Sequence, residues 1–176
     1  MNKNTANGFE VRPYRAGDEE ELLARGLRES DRMELWKLTG MTPERALMTY
    51  LPLMQTAGCV GTMLFEGKVF CLFGVYSLEG DGKGAPWLIA HSDFERPELA
   101  IPIARVCRKF IKHWLRHFGV LENICDAESV KGIEFLLWLG FSFDTELPVR
   151  GPLGHDLIRF WTASIVTGKQ IGRAHV

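Results

Sequence analysis

The chain has 176 residues, 46% apolar and 24% charged, with a formal net charge of −1. That is enough for one domain with a real core, and too even a charge to draw nucleic acid or membrane through an overall field. Its four cysteines, Cys59, Cys71, Cys107 and Cys125, form no CxxC pair and sit in apolar stretches, so they read as small core residues of a chain made in a reducing cytosol.

Residues 1–8 are polar, with no apolar signal core, and read as a flexible N-terminus. Phe9 to Pro13 alternates as a short strand. Gly17-Asp18 then turns the chain into a helix, with Asp18 placed to cap it and Glu21 to complete a capping box. Leu22, Leu23, Leu27, Ser30, Met33 and Trp36 recur at helical spacing, which predicts one continuous helix as far as Thr39-Gly40. Thr42-Pro43 opens a second helix, with Thr as N-cap and Pro at the first helical position; Pro52 falls late in it, where it ends or kinks it. Residues 58–65 and 68–78 form a hairpin turning at Glu66-Gly67, and after a Gly-rich loop at 80–84 residues 86–91 make a short apolar strand. The strongest helix is 97–118, where Ile103, Cys107, Phe110, Ile111, Trp114 and Phe118 make one apolar stripe. A strand at 120–127, a helix at 130–139 stopped by Gly140, and an antiparallel pair at 142–147 and 157–165 complete the pattern. No window reaches the ~18 uninterrupted apolar residues of a membrane span. The order β-α-α-β-β-β-α-β-α-β-β predicts a single α/β domain over 9–166, with a mixed central sheet, about four flanking helices and at least one parallel crossover. Residues 167–176 mix Gly with basic residues without periodicity and read as a disordered tail or cloning remnant.

Two segments give this order a family likeness. The opening "FEVRPYRAGDEEEL" and the stretch "CDAESVKGIEFLLWLGFSFD" resemble the first strand and helix start, and the strand-helix-Leu-Gly-Phe ending, of the GNAT acyltransferases. More narrowly, "LRESDRMEL", "VFCLFGV", "APWLIAHSDF" and "EFLLWLGFSF" followed by "LIRFWT" resemble a phage-encoded branch that includes a small internal virion protein of short-tailed phages. The likeness covers roughly 9–164. It implies the GNAT fold, synthesis in the cytoplasm of a bacterial host, a place in the virion interior, and other virion proteins as partners.

The same resemblance says where acetyl-CoA chemistry would lie. The family holds the pyrophosphate on backbone N–H groups at a helix start, in a glycine-rich loop. The corresponding segment here is "AHSDFERPELAIPIARV", with no glycine between Gly84 and Gly119 and with Asp93, Glu95 and Glu98 gathered near the helix start. Carboxylates there repel an anion; Arg96, Glu98 and Leu99 are the candidate cofactor residues if a site survives. The Tyr that often protonates the thiolate, four residues before the Gly-Phe glycine, falls on Leu136, which exchanges no proton. Glu79, His91 and Asp93, near the ends of central strands, are the candidate bases; the plainer reading of all three is solvated loop residues.

Arg105, Lys109, Lys112 and Arg116, with Arg108, share a face of the long helix, and no acid occurs between Glu98 and Glu122. This is a candidate surface for an acidic protein partner or nucleic acid, although no nucleic-acid-binding motif accompanies it. His113 and His117 stand at i, i+4 with no third ligand in view, so no metal site is expected. Asp31 and Glu34, beside Arg28 and Arg32, read as ordinary surface charge pairing in a region that lines the acceptor cleft of GNAT enzymes. Exposed aromatics are expected among Trp87, Trp114, Trp138 and Trp161. Two functions follow. The first is a non-catalytic GNAT-fold virion or virion-assembly protein with no cofactor. The second is an acetyl-CoA-dependent N-acetyltransferase with a degenerate loop.

Overall fold

Glu66 and Gly67 adopt φ of 51° and 77°, the left-handed pair that folds β2 (Gly58–Phe65) tightly back onto β3 (Lys68–Ser77). Around this hairpin the computed structural model, which describes residues 8–78 and 82–164, builds a seven-stranded sheet in the order β1-β2-β3-β4-β5-β7-β6. The strands are β1 (Phe9–Pro13), β4 (Gly84–Ala90), β5 (Val120–Asp126), β6 (Ser142–Arg150) and β7 (Asp156–Ala163). Every pairing is antiparallel except β4 with β5, which the long helix α4 (Pro97–Phe118) joins. Residues 167–176 and Glu79 lie outside the described residues, as does all of 1–8 but Gly8.

Among the described residues, five α-helices flank the sheet. Thr42 caps α3 (Pro43–Ala57) through its hydroxyl, which accepts from the Arg45 N–H at 3.3 Å, and α3 continues past Pro52 to Ala57. α5 (Val130–Leu139) stops at Gly140 in the left-handed region, as its sequence predicts. Leu22, Leu47, Leu51 and Leu72 close one core layer against the sheet; Phe70, Phe73, Ile103, Trp114 and Leu121 close the other beneath α4. Each such side chain taken from water contributes roughly 1.5–3 kcal/mol.

The continuous helix expected over 18–39 is two. α1 (Asp18–Arg25) ends at Gly26, whose φ of 100° no L side chain adopts cheaply, and α2 (Glu29–Thr39) starts again after Leu27 bridges His91. The restart changes the helical phase. Met33 and Trp36, expected on the buried stripe, are 40% and 41% exposed, while Asp31 and Lys37 are buried. Asp18 is not the N-cap either: Gly17 holds that position, and Glu21 reaches across to the Val69 N–H instead of closing a capping box. Cys59 is exposed on β2 and so is no core residue. β6 extends to Arg150, and its pairing with β7 is irregular between Asp144 and Val149, which accommodates Pro148, a residue with no N–H to donate. Of the tryptophans, Trp138 and Trp161 are exposed and Trp114 is buried.

Asp18 ties the first strand, first helix and sheet together. Its carboxylate accepts from the two terminal Arg12 guanidinium nitrogens at 2.6 and 2.7 Å, the Thr62 hydroxyl at 2.6 Å and the Arg15 N–H at 2.9 Å. Burial alone would raise its pKa, but these donors outweigh burial and hold it below the usual carboxylate value. A depressed folded-state pKa means stability that is present above the unfolded value and lost as pH falls through the folded one. Asp18→Ala is expected to cost about 3 kcal/mol at neutral pH, because it leaves the half-buried Arg12 unpaired. Urea unfolding at neutral and acid pH checks this, and the gap to wild type should close as pH falls below about 4.

Candidate functional site

β4 and β5 share one registered pair, Gly84 with Leu121, and then part. Beyond that point the β4 edge finds other partners. The Pro86 carbonyl accepts from the Asn123 side-chain amide at 2.9 Å, the Ala90 N–H donates to Asp31 at 2.7 Å, and the Ala90 carbonyl accepts from the Arg28 N–H at 3.0 Å. The alternation of a strand turns the N–H and C=O of Leu88 to the same side, into the gap. The gap opens a cavity of about 330 Å3, walled by β4, β5, α2, α4 and α5.

α2 and its N-cap Arg28 carry a row of charge, of which Arg28, Asp31 and Glu34 line this cavity. Asp31 receives both Arg28 nitrogens at 2.8 Å, and the Arg28 guanidinium lies 4.7 Å from the centre of the Phe94 ring. One turn on, Glu34 lines the cavity. Two turns on, the Lys37 ammonium, 5% exposed with its residue, reaches across to β5 and donates to both Asp126 oxygens at 2.8 and 2.9 Å and to Glu128 at 2.6 Å. Those bonds raise the Lys37 pKa. The surface pairing expected of Asp31 and Glu34 is therefore corrected: on the exposed side of α2 it is Arg32 and Glu29 that pair, at 3.7 Å.

Glu34 differs from its neighbours. Burial pushes its pKa up to about 7; nearby Asp31 adds to the rise, and Arg28 and the Asp126 N–H offset part of it. It is a carboxyl that exchanges a proton near neutrality, facing an apolar cavity. A signal for it stands in the sequence: Asp31, Glu34, Leu35 and Leu38 share one helical face at i, i+3, i+4 and i+7, so two acids sit beside two leucines.

The other expected site residues are dispersed. His91 is a structural cap: its Nδ1 accepts from the Asp93 N–H at 3.1 Å and its Nε2 faces the Arg25 carbonyl at 3.2 Å. Asp93 lies in the 3-10 turn Ser92–Glu95 between β4 and α4, with its carboxylate 3.5 Å from His91. Arg96 and Glu98 bind one another at 2.6 and 2.8 Å, and Leu99 is buried in the core. Leu136 and Ser129 both line the cavity, on α5 and at its start. Arg105, Arg108, Lys109, Lys112 and Arg116 are exposed along α4. Arg108 lies 5.3 Å from the Trp138 ring centre and donates to its carbonyl, and the other four have no ion pair among the described residues. His113 and His117 are exposed, and among the described residues no group of three His, Cys, Asp or Glu could hold a metal. Also among those residues, no helix is long and apolar enough to cross a membrane.

No protein-family model and no curated protein matches the chain. Solved structures do. The spermidine N-acetyltransferase of Vibrio cholerae, in complex with CoA and spermine, is 12% identical at a TM-score of 0.65, over 90% of this chain and 96% of its own. The ribosomal-protein-S5-alanine acetyltransferase of Vibrio fischeri is 14% identical at 0.62, over 90% and 94%. A GNAT-family acetyltransferase of Streptococcus pneumoniae is 11% identical at 0.60, over 88% and 98%. The fold is that of the GNAT acetyltransferases. At these identities the likeness extends to the fold alone.

The turn into α4 is closed by its own charges. Glu98 takes up its own backbone N–H and the Arg96 guanidinium, which together lower its pKa, and Glu95 takes the Lys131 ammonium at 2.8 Å. A diphosphate arriving there meets donors already engaged by carboxylates.

Glu34 yields a pH-dependent expectation. Its folded pKa of about 7 lies above the ordinary 4.5, so ionising it in the folded protein costs stability that builds as pH rises between those values. Glu34→Gln is expected to stabilise the protein by roughly 3 kcal/mol at alkaline pH, the advantage shrinking to nothing as pH falls towards about 4.5. Thermal and urea unfolding across that range would detect it; equal stability at both ends would mean that the carboxyl is not buried.

Proposed function

We propose that this GNAT-fold protein turns over no acetyl-CoA and works through its surface, as an internal virion or virion-assembly protein of a phage. The observation that carries the reading is the turn into α4, where Glu98, Arg96, Glu95 and Lys131 satisfy one another in the place a diphosphate would need. The four unpaired cations along α4 support a contact role, since their charge has no carboxylate partner among the described residues and is free for an acidic protein surface. The motif likeness to the phage-encoded branch supplies the setting. If the reading holds, particles of a phage encoding this chain contain it, and it resists protease added outside the intact capsid. Its absence from purified particles by mass spectrometry would overturn the virion role. Replacing Arg105, Lys109, Lys112 and Arg116 by Glu is expected to lower its incorporation at least about tenfold without unfolding it, because rim charges govern association more than stability.

The second reading, an N-acetyltransferase acting on an amine, has a specific observation of its own. Acyl transfer needs a neutral amine, and Glu34 is a carboxyl in the cavity whose pKa of about 7 suits it to accept the proton of an ammonium directly or through water. Leu136 gives no proton to a leaving thiolate, so that step would fall to water. Calorimetric titration with acetyl-CoA and CoA separates the two. Binding tighter than about 100 μM, roughly −5.5 kcal/mol, supports the enzyme. Absence of heat at millimolar ligand, with the protein folded, supports the contact role.

A further inference from the structure

Helix α5 is apolar on both of its sides. Seven of its ten residues are large and apolar, yet none of the ten is buried. Ile133, Phe135, Leu136 and Leu139 pack towards the core, as one face of a surface helix does. The opposite face of such a helix is ordinarily polar. Here Val130, Leu137 and Trp138 hold it at i, i+7 and i+8, 66%, 54% and 44% exposed, with Glu134 between them at i+4. Lone exposed apolar residues are common, but three on one face of a short helix mark a contact surface.

Helix α4 runs beside α5 in the same direction. Lys131, at the start of α5, meets Glu95 just ahead of α4 at 2.8 Å, and Trp138, near its end, meets Arg108 halfway along α4. Arg108 belongs to a stripe in which Ile101, Arg105, Arg108 and Lys112 follow one another at i, i+4, i+7 and i+11. Ile101 is more than half exposed. Arg105 and Lys112 are exposed and have no ion pair among the described residues. An apolar helix face is thus bordered by cations that lack carboxylates. None of Val130, Leu137, Trp138, Ile101 and Arg105 lines the cavity between β4 and β5.

The surface discriminates among occupants. A nucleic acid answers the cations but sets phosphates against Val130 and Leu137. An anionic bilayer has to take in Glu134, a carboxylate among the apolar side chains, against its own negative surface. A second copy of this chain, meeting the same face, brings to the cations only its own Glu134. An amphipathic helix with acids beside its apolar stripe answers every element. It offers apolar side chains to Val130, Leu137 and Trp138, carboxylates to Arg105, Arg108 and Lys112, and a lysine or arginine to Glu134.

We propose that the outer face of α5, with the adjoining stripe of α4, is the docking surface for an amphipathic helix of another protein, apolar along one side and acidic along its flank. This rests on the contact role argued above and names the chemistry of the partner.

The test is fluorescence anisotropy of three labelled helical peptides of about four turns, titrated with the full chain. The first has a leucine stripe flanked by glutamate, the second the same stripe flanked by lysine, and the third the glutamates with alanine for leucine. The first is expected to bind with a Kd of about 10 μM, and the other two at least about tenfold more weakly. Leu137→Ser with Trp138→Ser is expected to weaken the first peptide about tenfold, and so is Arg105→Glu with Lys112→Glu, both without unfolding the chain because these side chains are exposed. Equal binding of the first peptide and either of the others would overturn the proposal, as would no binding of the first at about 1 mM with folded protein. So would unchanged binding in a folded Leu137→Ser, Trp138→Ser variant, or tighter binding to phosphatidylglycerol vesicles or oligothymidylate than to the first peptide. Should the serine variant fail to fold, the glutamate variant and the three-peptide comparison decide. The virion role is read separately from purified particles, so either result can stand without the other.

Discussion

The parting of β4 from β5 after one shared pair is the constraint around which the molecule is organised. A sheet that opens in its middle exposes backbone donors and acceptors where there should be a ladder, and buried groups left so cost stability. Here the chain answers them one by one. Asn123 takes the Pro86 carbonyl, Asp31 takes the Ala90 amide, and the Arg28 amide takes the Ala90 carbonyl. The charged row of α2 is thus first a structural device. Its carboxylates and cations cover the open edge, and Lys37 pins the far end of the helix to β5 through Asp126.

That origin explains why Glu34 is unlike the rest. Arg28, Asp31 and Lys37 are each consumed by backbone or by an opposite charge, and the geometry leaves Glu34 facing space. A half-buried carboxyl whose surroundings raise its pKa is a common mark of function. The cleft therefore keeps a carboxyl without an ion-pair partner among the described residues, while at the turn into α4 Arg96 and Lys131 are engaged by Glu98 and Glu95. Cleft and turn are separate pieces of chain, and one can change while the other persists.

Much of the fold is legible in the sequence because its ends are marked chemically. Thr42-Pro43 opens α3, Pro97 opens α4, Gly140 closes α5, and Glu66-Gly67 turns the hairpin; each boundary is where the local chemistry puts it. The break at Gly26 is obscured because a lone glycine in a run of helix formers can be carried by a helix at modest cost. Tertiary pairing of Leu27 with His91 decides otherwise. Once the break is missed, the phase of α2 is wrong, and Met33 and Trp36 take the places that belong to Asp31 and Glu34. The site was hidden by the same error. Acids on a core-facing stripe look like surface charge until the stripe is drawn from Leu35 and Leu38. His91 misleads for a different reason. A histidine at a strand end is indistinguishable in sequence from a catalytic one until both nitrogens are seen engaged with backbone.

Pro86 sits on the open edge of β4 with no N–H to offer, and its carbonyl is already held by Asn123. An exposed strand edge is a template on which other chains can polymerise, and natural sheets blunt such edges with proline or with side chains that use up the pairing groups. An opening in the middle of a sheet carries the same hazard from within, since a stray segment could slide in and complete the ladder. With Pro86 mute as a donor and Asp31 holding the Ala90 amide, the edge offers an incoming strand little beyond Leu88. The opening therefore resists becoming a seed for aggregation.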